Sequence, residues 1–115
     1  MFKLNADFVM SHITARSRLM IVNSPNNPTG AVFSYDDLAS LSKLAIKRDL
    51  IVISDEVYKR ITYDEAKHYC LASFPRMRER ALVVGSFSRT YAMTGFRIGY
   101  VLGPEELITP MMLTH

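Results

Sequence analysis

A chain of 115 residues, 49% apolar and 22% charged, has the size and make-up of one globular domain. Its net charge of +3 is too small to mark a nucleic-acid-binding surface, and no apolar run approaches the ~20 residues a transmembrane helix needs. A single cysteine, Cys70, rules out an internal disulfide; with no signal-peptide pattern, the expected setting is reducing and cytoplasmic.

Residues 1–17 read as the run-up to a strand, and Leu19 to Val22 is the first of several apolar runs with strand character. Leu50 to Ile53 and Ala81 to Val84 follow. All are short, unbroken and rich in Leu, Ile and Val, the pattern of strands buried on both faces of a parallel sheet. Between the first two, a helix is predicted over Tyr35 to Arg48. Ser34 is its N-cap, and Asp37 completes a capping box. Asp36 and Asp37 fall in the first turn, and Lys47 and Arg48 in the last, as the helix dipole favours. Leu38, Leu41, Leu44 and Ala45 form its apolar stripe. Strand, helix and strand at this spacing make a βαβ unit. A less regular crossover runs from about Asp55 to Arg80, with a turn near Tyr63-Asp64 and a break at Pro75.

The fourth run, Phe96 to Leu102, follows the third after a short link. A parallel crossover takes about a dozen residues or more. The run is therefore predicted antiparallel, giving an α/β sheet of three parallel strands plus one antiparallel strand. An antiparallel strand starts at the edge where its parallel neighbours end. Arg97 thereby joins Asn27, Asp55 and Ser86 at the carboxyl edge, where open α/β sheets bind ligands. Pro104 opens a last helix-like segment reaching His115, with Glu105 and Glu106 in its first turn and an interruption at Pro110.

Three stretches at that edge carry chemistry. Asn23-Ser24-Pro25-Asn26-Asn27-Pro28-Thr29-Gly30 has two prolines and a glycine to stiffen a turn; alone, it reads as a plain strand-to-helix loop. Asp55 ends the second strand within Ser54-Asp55-Glu56-Val57-Tyr58; alone, it reads as a helix cap or a surface charge. Ser86, Ser88 and Arg97 offer two hydroxyls and a guanidinium, either a donor set for a phosphate dianion or a Ser-rich turn beside a surface arginine. Elsewhere, Arg76, Arg78 and Arg80 read as a solvated basic face, without the aromatic interleaving of a nucleic-acid site. Cys70 reads as a small apolar residue. His12, His68 and His115 lack metal-ligand spacing.

Together the three stretches resemble the signatures of pyridoxal 5′-phosphate (PLP)-dependent aminotransferases of class I and II, the fold type I group that includes aspartate and aromatic aminotransferases. The first matches Pro-Asn-Asn-Pro-Thr-Gly and the second Asp-Glu-x-Tyr. Ser86-Phe87-Ser88-Arg89-Thr90-Tyr91-Ala92-Met93-Thr94-Gly95-Phe96-Arg97 resembles the cofactor-lysine motif. The resemblance covers nearly the whole chain and keeps the family's order. It implies a partial three-layer sheet, with residues 1–115 forming the central part of the PLP-binding large domain and the N-terminal part and C-terminal small domain absent. It also implies that Asn27 and Tyr58 hydrogen-bond the cofactor's phenolic oxygen, while Asp55 pairs with the ring nitrogen and keeps it protonated. Ser86, Ser88 and Arg97 would form the phosphate cup. Glu56 is expected to point away, and Gly95 and Gly99 to permit close backbone approach. The parent would be a homodimer that passes an amino group from an amino acid to a 2-oxo acid.

One position departs from the pattern. The family's Schiff-base lysine is here Arg89. A lysine can lose its proton and attack an aldehyde, whereas an arginine side chain stays protonated with its lone pairs delocalised. Covalent attachment of PLP is therefore not expected, and neither is transamination by this chain. Two other readings remain open at this point. One is a non-catalytic PLP-binding or interaction module, such as a pseudo-enzyme or regulator domain. The other is a carbon–sulfur lyase of the same fold type.

Overall fold

Continuous apolar runs and one well-capped helix dictate most of the architecture. The structure, a computed structural model, describes residues 5–114. Its elements are α1 (Ala6–His12), β1 (Leu19–Asn23), α2 (Tyr35–Lys47), β2 (Ile51–Asp55), β3 (Ala81–Ser86), α3 (Phe87–Thr90), β4 (Gly99–Leu102) and α4 (Glu105–Thr114), with single 3-10 turns at Leu71–Ser73 and Thr94–Phe96.

The strands form one sheet in the order β1-β2-β3-β4. β1, β2 and β3 are parallel, and β4 runs antiparallel to β3, as predicted. Asn23 is level with Asp55, Asp55 with Val84, and Ser86 with Gly99. The crossovers from β1 to β2 and from β2 to β3 step the same way along the sheet. Right-handed connections then fall on the same face. Accordingly, Leu38, Leu41, Leu44 and Ala45 of α2 share one core cluster with Leu71, Phe74 and Met77 of the second crossover, over Val22, Val52 and Ala81.

The helix α2 begins as the sequence indicates. The Ser34 hydroxyl accepts from the Asp37 N–H, and the Asp37 side chain accepts from the Ser34 N–H. Its apolar stripe is fully buried: Leu38, Leu41, Leu44 and Ala45 are 5% exposed or less. Arg48 is the C-cap rather than the last helical residue.

Strand side chains alternate between faces. The registers put Met20, Val22, Val52, Ser54, Ala81 and Val83 on the α2 side, and Leu19, Ile21, Ile53, Asp55, Val84 and Ser86 on the other. That second face is poorly covered. Ile21 is 67% exposed and Leu19 46%. Leu82 is its buried member, lying against Gly103.

Three expectations change. The run-up to β1 contains α1, capped by the Asn5 side chain, which accepts from the N–H groups of Asp7 and Phe8. Val9, Met10 and Ile13 pack against the core, so tertiary contact supports a helix too short to stand alone. β4 starts at Gly99, not Phe96, because the short link from β3 must reverse the chain. It does so through the turn at Thr94–Phe96 and a left-handed Arg97 (φ 56°). The last helix continues through Pro110, which has no N–H to donate to the preceding turn. Met1 to Leu4 and His115 lie outside the described residues.

Candidate functional site

The carboxyl ends of β1, β2 and β3 open into one cleft of about 380 Å³. Asn27, Asp55, Tyr58, Ser86, Ser88, Arg89 and Arg97 all line it, together with Asn23, Val57 and Thr94. The antiparallel direction of β4 brings Arg97 there. Its start is level with the end of β3, so the residues just before it hang over the edge at which Asp55 ends β2.

A dense set of short-range hydrogen bonds shapes the loop after β1. The Asn23 carboxamide oxygen accepts from Asn26 Nδ2 (2.8 Å) and the Asn27 N–H (3.2 Å). Asn26 Oδ1 accepts from the Thr29 hydroxyl (2.6 Å) and N–H (3.2 Å). Gly30 closes the turn at φ 69°, a conformation that costs glycine little. The loop is tied to β2 where the Asp55 carbonyl accepts from the Ser24 N–H and Asn23 Nδ2. Asn27 then reaches across to donate to the Tyr58 hydroxyl at 2.9 Å.

Asp55 and Glu56 diverge because they occupy successive positions of an extended chain. Asp55 faces the cleft, with Oδ1 accepting from the Val57 N–H (3.2 Å). Glu56 turns to the α2 side and is 2% exposed. Its carboxylate accepts from the Ser54 hydroxyl (3.0 Å) and the Leu71 N–H (3.2 Å), and it pairs with His68 Nε2 (2.9 Å). Burial alone pushes the Glu56 carboxyl up. The His68 hydrogen bond and charge, with hydrogen bonds from Cys70 and Ser54, bring it net below the usual carboxylate range. Burial, then the Glu56 charge, pushes the Cys70 thiol up, which suits an unreactive cysteine.

At the end of β3, the Ser86 hydroxyl caps α3 by accepting from the Ser88 N–H (3.0 Å) and donates to the Ile98 carbonyl (3.3 Å). Arg97 Nη1 donates to the Thr94 carbonyl at 2.8 Å, which holds the guanidinium over the cleft. The Arg89 guanidinium carbon lies 5.8 Å from the centre of the Tyr58 ring, a cation–π distance. Gly85 matters for packing rather than chemistry. The Tyr100 ring fills the space a side chain there would need. The Gly95 expectation is not met, since a Cβ there would touch nothing; one at Gly99 would come 3.1 Å from the Gly85 carbonyl oxygen.

Sequence reasoning missed Asn23 and Thr94. Asn23 organises the loop and ties it to β2, and the one sequence signal was a polar residue ending an apolar run. Thr94 acts through its backbone carbonyl, which no side-chain pattern reveals. A larger hollow of about 710 Å³ adjoins the cleft and shares Asn27 and Tyr58. Its walls include Phe33, Tyr35, Tyr63 and Tyr69, whereas the smaller cleft holds both Arg89 and Arg97.

The fold and cleft define an α/β segment with its ligand site at the carboxyl edge of the sheet, and comparison with known proteins supplies the class. The chain belongs to the aminotransferase class I and II family, whose profile matches residues 1–115. An aspartate aminotransferase from Pyrococcus abyssi is 46% identical over 111 residues, 96% of this chain and 28% of the relative. The structure of an aromatic aminotransferase from Pyrococcus horikoshii superposes with TM-score 0.93 at 47% identity, over 96% of this chain and 30% of that one. N-succinyldiaminopimelate aminotransferase from Mycobacterium tuberculosis gives TM-score 0.92 at 44% identity, over 94% and 28%. The chain thus spans under a third of the length of these relatives. The family is PLP-dependent and of fold type I, and the mixed sheet matches a piece of its large domain.

The donor set fits PLP in all but one respect. The Ser88 hydroxyl and Arg97 suit a phosphate, and Ser86 would join them by turning its single O–H donor away from the Ile98 carbonyl; the Asn27–Tyr58 pair suits a phenolic oxygen, and Asp55 suits a protonated ring nitrogen. Covalent attachment is what the residues do not fit, because no lysine lines the cleft among the described residues. Lys59, next to Tyr58 in sequence, lies with Nζ 5.6 Å from the centre of the Tyr100 ring, and the Tyr100 phenol pushes its ammonium group up.

Proposed function

We propose that residues 1–115 carry the cofactor-binding centre of an amino acid aminotransferase's large domain, and that with Arg89 the chain holds PLP reversibly and does not transaminate. The observation that carries this is the convergence of Asn27, Asp55, Tyr58, Ser86, Ser88 and Arg97 in one cleft beside Arg89, which we read as standing where the family has its Schiff-base lysine. In this reading, Ser86, Ser88 and Arg97 bind the phosphate. Asn27 and Tyr58 hydrogen-bond the phenolic oxygen and orient the ring, while Asp55 holds a proton on the ring nitrogen. When bound, PLP supplies an electron-withdrawing ring able to stabilise negative charge at a substrate's Cα. Arg89 cannot take and return the Cα proton as a lysine amine would, which is the reason for expecting no turnover. A catalytically competent parent would pass an amino group between an amino acid and a 2-oxo acid, as the names of the relatives suggest for those proteins. We further propose a homodimeric parent in the cytoplasm, the latter supported by the single unpaired cysteine.

A non-catalytic PLP-binding module is favoured over a turnover enzyme by the same Arg89. The test is titration with PLP, followed by borohydride reduction and intact-mass measurement. Binding lost on dialysis, with no phosphopyridoxyl group fixed at position 89, is the expected result, along with no amino-group transfer between aspartate and 2-oxoglutarate. A stoichiometric phosphopyridoxyl adduct on Arg89, or measurable transfer, would overturn the reading.

A further inference from the structure

We infer that Arg89 changes how the cleft selects its ligand, so that the preferred occupant is a phosphorylated pyridine with a carboxylate where PLP has its aldehyde. This rests on the proposed reading of the cleft as the PLP site. Arg89 extends over the Tyr58 ring at 5.8 Å, and Asn27 Nδ2 anchors the Tyr58 hydroxyl, so the guanidinium stands against the wall that would orient the ring. Among the described residues, ion pairs join Glu56 to His68, Glu79 to Arg76 and Asp49 to Arg80, and none reaches Arg89 or Arg97. Arg97 donates to the Thr94 carbonyl, but Arg89 makes no side-chain hydrogen bond among the described residues. Asp55, the cleft's one carboxylate among the described residues, accepts from the Val57 N–H and would face the ring nitrogen. Two guanidiniums therefore stand against one carboxylate.

A phosphate dianion at Ser86, Ser88 and Arg97 is held at that end of the cleft and leaves the N–H donors of Arg89 without an acceptor of their own among the described residues. A lysine at position 89 selects an aldehyde because its neutral amine forms a carbon–nitrogen bond to it. A guanidinium forms no such bond, but its planar fork of N–H donors pairs with a planar carboxylate through two parallel hydrogen bonds. The same cation repels an ammonium group. The ligand order at Arg89 is therefore carboxylate first, aldehyde and methyl next, and aminomethyl last.

The experiment measures equilibrium binding of four phosphorylated pyridines that differ at this one substituent. They are 4-pyridoxic acid 5′-phosphate, PLP, 4-deoxypyridoxine 5′-phosphate and pyridoxamine 5′-phosphate. The carboxylate form should bind roughly 10-fold more tightly than the methyl form, the low end for hydrogen bonds to a charged group. The aminomethyl form should bind more weakly than the methyl form. Arg89→Met, a change at an exposed side chain, should erase both differences. Arg89→Lys should move PLP to first place and make it resist dialysis. Equal binding of all four by the unaltered chain would overturn the inference while leaving the cofactor-site reading intact. So would a carboxylate preference that survives Arg89→Met. Failure of all four to bind, the methyl form included, would overturn both.

Discussion

Asp55 and Glu56 show how much one residue of register decides. They are chemically near-identical neighbours, yet the extended backbone sends one into the ligand cleft and the other into the protein. Glu56 is fixed by Ser54, His68 and the Leu71 N–H, so it pins the start of the second crossover just behind the cleft. Its folded-state pKa lies below the ordinary value of 4.5. A depressed carboxylate contributes stability that is fully present above its unfolded pKa and lost as pH falls through the folded value. Glu56→Gln should therefore lower the denaturation midpoint at pH 7, and its deficit should shrink as pH drops below 4.5. Glu56→Ala should cost about 3 kcal/mol or more, because it strands buried partners. Urea melts at pH 7, 5 and 3.5 would check this, and a deficit independent of pH would show that the charge contributes nothing. The divergence of the two carboxylates was expected from the family resemblance, and the alternation of an extended chain is its physical reason. The partners of Glu56 were not, since His68 and Leu71 reach it only through the tertiary path of the crossover.

At the scale of elements, legibility followed how local the determinants are. The helix α2 carries its own start signal and stripe, and β1 to β3 are unbroken apolar runs, so their type and near-correct bounds could be read directly. α1 is a short segment whose helicity depends on Val9, Met10 and Ile13 docking on the core, which no periodicity in so brief a stretch reveals. The entry to β4 belongs to the same apolar run as the strand, Phe96 to Leu102, but reversing direction after β3 requires a turn there. The antiparallel direction, inferred from link length, was the topological step that placed Arg97 at the site edge. The reciprocal cap of α2 is a testable link between sequence and stability. Ser34→Ala should destabilise the chain by about 1 kcal/mol. Asp37→Ala should cost a similar amount, and the double variant less than the sum, because each change breaks the same box. Thermal melts of the three variants give the coupling, and full additivity would mean that the two hydrogen bonds act independently.

For the whole molecule, the decisive feature is that α2 and the second crossover cover one face of the sheet and leave the other poorly covered. Ile21 and Leu19 point from the uncovered face, and β1 is also an edge strand with unpaired backbone groups. The last helix adds exposed Met111, Met112 and Leu113, at 43%, 74% and 83%. Apolar surface of this kind marks an association site or an aggregation hazard in a protein studied alone. In relatives more than three times this length, the matching strands are accompanied by much more chain. The isolated 13.1 kDa chain is therefore expected to self-associate. Light scattering should show species above monomer mass, and a hydrophobic dye should fluoresce strongly. Ile21→Lys should shift the distribution toward monomer with little loss of secondary structure, because that side chain is 67% exposed and outside the α2 core. The converse substitution on the covered face, Leu41→Ala, should instead cost about 2–5 kcal/mol and increase association by unfolding. A monodisperse monomer with low dye binding and cooperative unfolding would mean that the 115 residues cover their own core. In that case the exposed second face would be an ordinary surface rather than the seat of a missing layer.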